Sequence, residues 1–239
     1  VRGDFAPTGV VDEHVEATPA LVDLPHHGDS PAGAHGDTVA GLAADVVEWM
    51  RVTDVLPRVV LGHSYGGKVA LAIADQLREQ ALQVWVIDST PEARAPAGSA
   101  WEMLEIIRGT PRQFESREQL IGLLGEAGVA HATAQWMATN LENRDGSYVW
   151  RFDFDAMEEL LHDFFEQDLW DVLEAPPGDV VIHIVKAKES SVLSADAVAR
   201  VRAIGQQNHR VFLHEVAGGH WVNAENPEEL LKLMSQQLR

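Results

Sequence analysis

Apolar positions along the chain form short runs and three-to-four-spaced stripes that alternate. Val39, Leu42, Val46 and Trp49/Met50 mark one buried face of a helix expected from Thr38 to Arg51. The run Arg58-Val59-Val60-Leu61 has the length of a strand, a helix is expected over 67–79, and Leu82–Asp88 reads as the next strand. Near the end the rhythm returns, with a strand over Val180–Val185, a helix over Ala195–Ile204 and a strand over Val211–Val216. The last helix opens at Asn226-Pro227-Glu228-Glu229, with an N-cap, proline at the first position and glutamate at N3. Strands that alternate with helices predict an α/β fold with a mostly parallel sheet. The start is less patterned: Val10–Val15 is a candidate short strand, and Ala20–Asp23 a strand running into the polar loop Leu24–Pro31.

Between roughly 95 and 175 the pattern changes. This stretch reads as helical and holds Trp101, Trp136, Trp150 and Trp170, four of the seven tryptophans. The expected organisation is a core made of 1–94 and 176–239, with 95–175 inserted as a helical cap on the side where strand ends point. Its tryptophans either face that side or fill a small core of their own.

With 46% hydrophobic residues the 239-residue chain can bury a substantial core. No apolar stretch approaches the ~18 residues of a membrane span. The net charge of −19 opposes binding to nucleic-acid phosphate or to anionic membranes. Cysteine is absent, which excludes disulfides, thiolate catalysis and cysteine-based zinc sites. His26, His27 and His35 form a loose cluster without carboxylates in register, so no metal site is expected.

The most informative segment is Gly62-His63-Ser64-Tyr65-Gly66-Gly67, between the strand at 58–61 and the next helix. Gly-x-Ser-x-Gly in that context makes a nucleophile elbow, a strained turn that lifts the serine hydroxyl clear of the backbone. Side chains two residues to either side are expected to collide there, so glycine is read as required at both 62 and 66. A serine hydroxyl is a weak nucleophile unless a base takes its proton and an acid orients that base. In folds with such an elbow the partners follow in the order acid, then histidine. His220, in Ala217-Gly218-Gly219-His220-Trp221 between the last strand and the last helix, is the candidate base. His183 and His214 lie inside strand patterns and read as structural. The usual place for the acid, after the strand at 180–185, carries the uncharged Ser191, with Glu189 two residues early. Asp88, at the end of the strand after the elbow helix, is the other candidate. Asp196 follows a plausible helix cap at Ser194, which explains its charge otherwise. The Tyr65 N–H, opening the elbow helix, is the candidate oxyanion donor. His63, Trp136 and Trp221 are the candidate substrate-lining residues, although His63 also reads as a local packing residue.

The chain resembles the YbfF-type esterases of the α/β-hydrolase superfamily, a group with a mitochondrial branch in animals and relatives in plants. The resemblance is carried by Val22-Asp23-Leu24 with His27-Gly28-Asp29-Ser30, by Gly62–Lys68, and by Val86-Ile87-Asp88. In the inserted stretch it is carried by Phe114-Glu115-Ser116-Arg117, Thr139-Asn140-Leu141 and Trp150-Arg151-Phe152, and near the end by Gly219–Ala224. It implies hydrolysis of acyl esters or thioesters of small molecules without a cofactor; the alternatives are a weakly active or inactive binding protein on the same fold, or acyl transfer to another nucleophile by the same triad. It also implies that the acid follows the strand after the elbow helix, which matches Asp88. The family begins with three strands, and a His-Gly loop after the third supplies part of the oxyanion hole. Residues 1–20 are too few for all three. They are expected either to substitute for a missing strand or to mark the chain as part or an altered form of a longer one. A second oxyanion donor cannot be named, so weak catalysis is expected of residues 1–239.

Overall fold

The structure, a computed structural model, describes Pro25, Ser30, residues 33–78 and residues 82–238. The expected strands at Val10–Val15 and Ala20–Asp23, together with His26, His27 and the substitute strand expected within residues 1–20, lie outside the described residues. In chain order the elements are α1 (Val39–Val52), β1 (Val59–His63), α2 (Tyr65–Gln76), β2 (Gln83–Ile87), α3 (Ser99–Arg108), β3 (Gln113–Phe114), α4 (Arg117–Glu126) and α5 (His131–Ala138). There follow β4 (Leu141–Arg144), β5 (Ser147–Trp150), α6 (Phe154–Glu166), α7 (Trp170–Glu174), β6 (Val181–Ala187), α8 (Ala195–Gln207), β7 (Val211–Val216), α9 (Val222–Glu225) and α10 (Pro227–Gln237).

β1, β2, β6 and β7 form a parallel sheet in the order β1-β2-β6-β7. Side chains alternate across it. Val84, Val86, Ile182 and Ile184 pack with Leu71 of α2, Leu173 of α7 and Val201 of α8. Trp85, Ile87, Val185 and Ala187 pack on the other face with Val222 and Leu230 of α9 and α10. Both faces are covered, so β2 reads as an almost continuous apolar run. Each large aliphatic side chain buried this way contributes about 1.5–3 kcal/mol relative to exposure. The register pairs His63 with Ile87 and Ile87 with Val185, so β1 and β2 end level, while β6 runs on to Ala187 and ends level with β7 at the Ala187–Val216 pair.

The stretch between β2 and β6 departs from the helical reading. Beside α3–α7 it contains an antiparallel sheet of order β3-β5-β4. β4 and β5 are joined through Asp145 and Gly146, both at positive φ (52° and 91°), a turn whose twist suits a tight hairpin. Leu104, Phe114, Leu120, Leu141, Trp150 and Leu161 form a core within this segment. Trp170 instead joins the main core, whereas Trp136 is 47% exposed.

Among the described residues no helix is long and apolar enough to cross a membrane.

Candidate active site

Chain reversals at the C-terminal ends of the parallel strands build the site. β1 stops at His63, and Ser64 takes φ 55° and ψ −120° before α2 starts at Tyr65. The Ser64 N–H donates to the Ile87 carbonyl at 3.0 Å, which prolongs the β1–β2 ladder by one bond into the turn. A Cβ at Gly62 would overlap the Gly66 carbonyl, so a side chain there is excluded. Gly66 differs from the sequence expectation: a Cβ there meets nothing within 4 Å. The second steric demand falls on Gly67, whose Cβ would lie 2.5 Å from the Ser89 Cβ, because α2 packs closely against the exit of β2.

Asp88 follows β2 with φ 42° and is fully buried. Its N–H donates to the Val185 carbonyl at 2.8 Å, and its Oδ1 accepts the Ala187 N–H at 3.1 Å. That leaves Oδ2 directed at His220 Nδ1, 2.8 Å away. The carboxylate only accepts, so Nδ1 carries the proton. His220 Nε2, 2.9 Å from Ser64 Oγ, is then the free acceptor for the hydroxyl. The structure therefore brings Ser64, His220 and Asp88 into one hydrogen-bonded row. Glu189, Ser191 and Asp196 are exposed.

The loop carrying His220 is held from the C-terminal side. Glu225 accepts the Gly219 N–H at 2.6 Å, and Glu229 accepts the Ala217 N–H at 3.3 Å. Asn226 uses its amide to donate to the Ala217 carbonyl and to Glu229, at 3.0 and 2.6 Å. It does not cap α10 with its side chain, as the sequence had suggested.

His63 Nε2 lies 2.6 Å from the His220 carbonyl, which can only accept, so Nε2 is the protonated nitrogen. Burial lowers the pKa of His63, which favours this neutral form. Its ring stands 4.9 Å from the His220 ring and 5.7 Å from that of Trp221. Trp221 in turn meets Trp136 of α5 at 4.7 Å. An aromatic row thus runs from the histidine outward to an exposed indole. Tyr65 points the other way. Its ring lies 5.7 Å from Phe164, and its hydroxyl has no hydrogen-bond partner among the described residues. Burial pushes that phenol far up, so it stays neutral. The Tyr65 N–H is the first of α2 and has no acceptor within its own helix.

Away from this row, His183 and His214 share a 2.9 Å contact between Nδ1 and Nε2. His35 pairs with Asp45 at 2.7 Å. Among the described residues no group of three or more His, Asp or Glu is arranged to hold a metal ion.

A model of an alpha/beta hydrolase family matches residues 5–233, nearly the whole chain. The chain belongs to the alpha/beta hydrolase family. Among curated alpha/beta hydrolases it is similar to the sn-1-specific diacylglycerol lipase ABHD11 of Xenopus tropicalis, at 25% identity over 221 residues. That match covers 88% of this chain and 65% of the Xenopus protein, so the chain spans just under two thirds of the relative's length. Among solved structures it is similar to a marine microorganism esterase, with a TM-score of 0.75 and 18% identity over 90% of this chain and 82% of that one. An E-2-(acetamidomethylene)succinate hydrolase gives a TM-score of 0.74 and 21% identity, covering 90% and 78%. These structural likenesses show the fold.

Sequence reasoning missed the Ala187 N–H that holds Asp88, the part played by Glu225 and Asn226, and the fate of Lys68, whose side chain is fully buried beside the elbow. The first is a main-chain contact across strands and leaves no side-chain signature. The second lay at Glu225 and in the Asn226–Glu229 segment, whose cap-like pattern concealed a tertiary role.

Proposed function

We propose that this alpha/beta hydrolase is a serine esterase acting on carboxylic esters or acyl thioesters, of the YbfF type, with Ser64 as nucleophile, His220 as base and Asp88 as orienting acid. The observation that carries the reading is the unbroken row Asp88 Oδ2–His220 Nδ1–His220 Nε2–Ser64 Oγ, at 2.8 and 2.9 Å. As Ser64 Oγ attacks the substrate carbonyl, its proton passes to His220 Nε2. The buried Asp88 carboxylate stabilises the imidazolium that forms. The Tyr65 N–H at the start of α2 donates to the developing oxyanion, where the helix dipole also favours negative charge. His220 then returns the proton to the leaving alcohol or thiol. Water, activated by the same histidine, releases the acyl group from Ser64.

The stretch over 95–175 is proposed as a cap over the core formed by 1–94 and 176–239. Trp136 and Trp221, with His63 beneath, offer an aromatic wall for the acyl chain. The name of the Xenopus relative makes acylglycerol esters a sensible first substrate panel.

A fluorophosphonate probe is the direct test. Labelling of wild-type protein, lost in Ser64→Ala together with p-nitrophenyl ester hydrolysis, is the expected outcome. Full activity in a folded Ser64→Ala protein would rule the mechanism out. A wild type that binds acyl esters without labelling would instead mark a binding protein on the same fold.

A further inference from the structure

Lys68 lies in the first turn of α2, and its side chain has no solvent exposure. A lysine ammonium has three donors and nothing to accept with. Here the donors meet three main-chain carbonyls: Glu92 at 2.9 Å, Phe164 at 2.5 Å and Gln167 at 2.7 Å. The Phe164 ring adds a cation–π contact, with Nζ 4.5 Å from its centroid. Phe164 and Gln167 belong to the C-terminal end of α6, where carbonyls lack helical partners and the dipole favours a cation.

The identity of the three acceptors matters more than their number. Glu92 is on the leg by which the chain leaves β2, just beyond Asp88. Phe164 and Gln167 are on the leg by which it returns. Two main-chain bonds join these legs to each other, Arg94 N–H to the Phe165 carbonyl and Leu169 N–H to the Pro91 carbonyl, both 2.8 Å. Lys68 ties both legs to the helix that opens beside Ser64.

We infer that Lys68 is a positioning residue: it clamps both legs of the β2–β6 segment to α2 and so fixes where Trp136 stands against Trp221, whose ring packs on His220. Its effect on rate rests on the hydrolase reading; the clamp itself does not. A neutral amine keeps two donors, so loss of the proton leaves one carbonyl unpaired and removes the charge from the end of α6. The charged groups that face it are Asp163 on α6, Asp168 after α6, and Glu92 and Arg94 on the outgoing leg. Burial, aided by Arg94 and opposed by the three carboxylates, pulls the ammonium down to about 8. The clamp therefore titrates within reach of ordinary buffers.

Hydrogen exchange of the wild-type protein tests the clamp directly. After correction for intrinsic rates, peptides covering 91–95 and 163–169 are expected to lose protection together, by about 10-fold relative to the β6 peptide, between pH 7 and pH 9.5. Unchanged relative protection overturns the inference, whatever the enzyme does. Kinetics supply the second arm. Folded Lys68→Met protein is expected to show kcat/KM for a p-nitrophenyl ester reduced by about 10-fold or more. It should also lose the alkaline fall in rate that wild type shows with a midpoint near 8. A variant that melts lower yet keeps the wild-type kcat, KM and pH profile reduces Lys68 to a structural residue and also overturns the inference. Should Lys68→Met fail to fold, the exchange experiment on wild type decides. A wild type inert to fluorophosphonate sinks the hydrolase reading and the rate half of this inference, while exchange still decides the clamp.

Discussion

Asp88 splits one carboxylate between two partners, and the split makes its replacement informative. Oδ1 takes the Ala187 N–H and Oδ2 takes His220 Nδ1. In Asp88→Asn the amide oxygen keeps Ala187, which turns the NH2 toward Nδ1. That forces the proton onto Nε2, where it faces Ser64 and blocks proton transfer. A fall in kcat of about 10³–10⁴ with little loss of thermal stability is expected. Glu189→Gln, at an exposed position, should change kcat by less than about 10-fold. The reverse ranking in steady-state kinetics would displace Asp88. The elbow glycines separate in the same way. Gly62→Ala drives a Cβ into the Gly66 carbonyl, whereas at Gly66 there is room. Gly62→Ala is therefore expected to yield little folded protein, and Gly66→Ala to melt within a few degrees of wild type. Equal melting temperatures for the two would contradict the elbow geometry.

The regular elements of the sheet were legible because their patterns agree with their surroundings. β2 is apolar on both faces and buried on both, and the stripe Val39–Leu42–Val46 faces a core. Boundaries moved by a turn or less: α2 begins at Tyr65, two residues early, because the elbow itself is its first turn. The small sheet between β2 and β6 was overlooked although a signal was present. Asp145-Gly146 between Leu141–Arg144 and Ser147–Trp150 is a strong hairpin dipeptide, but four-residue strands carry too few alternations to stand out beside helices. The juxtaposition of Ser64, Asp88 and His220 was traceable from strand ends and loop position. The clamp made by Lys68 was not, because its acceptors are carbonyls 24, 96 and 99 residues further along the chain and any residue type supplies a carbonyl. The hairpin gives an element-scale prediction. Gly146 sits at φ 91°, so Gly146→Val forces a β-branched side chain into a strained backbone. A loss of about 1–3 kcal/mol in urea unfolding is expected, with Asp145→Asn near neutral. Equal stability in both variants would mean that the turn does not hold the sheet.

At the scale of the whole molecule, the sheet carries an acid-sensitive feature remote from the serine. Trp85, His183 and Phe212 are register partners across β2, β6 and β7, and His183 is almost wholly buried. Burial, with His214 beside it, lowers the His183 pKa from 6.5 to about 4, and burial lowers that of His214 as well. Between about 4 and 6.5 the unfolded chain therefore binds more protons than the folded one. Stability from this group is complete above 6.5 and is lost as the pH falls toward 4. Urea unfolding across pH 4.5–7 should show that slope in wild type and a flatter one in His183→Phe. An identical slope in both proteins would assign the acid loss to other groups.

The same stack has an optical consequence. The Trp85 indole lies 4.2 Å from the His183 imidazole with planes only 6° apart, close enough for electron transfer from excited indole to a protonated ring. A neutral imidazole quenches weakly and an imidazolium strongly. Trp85 emission thus reports the charge on His183 without any attached dye, and dims at the moment the proton enters the sheet. Subtracting the spectrum of Trp85→Phe protein from that of wild type isolates this emitter from the other six indoles of the chain's seven. The difference signal would fall at the pH where the sheet takes up its proton, ahead of the loss of global fold if that proton is the cause of unfolding.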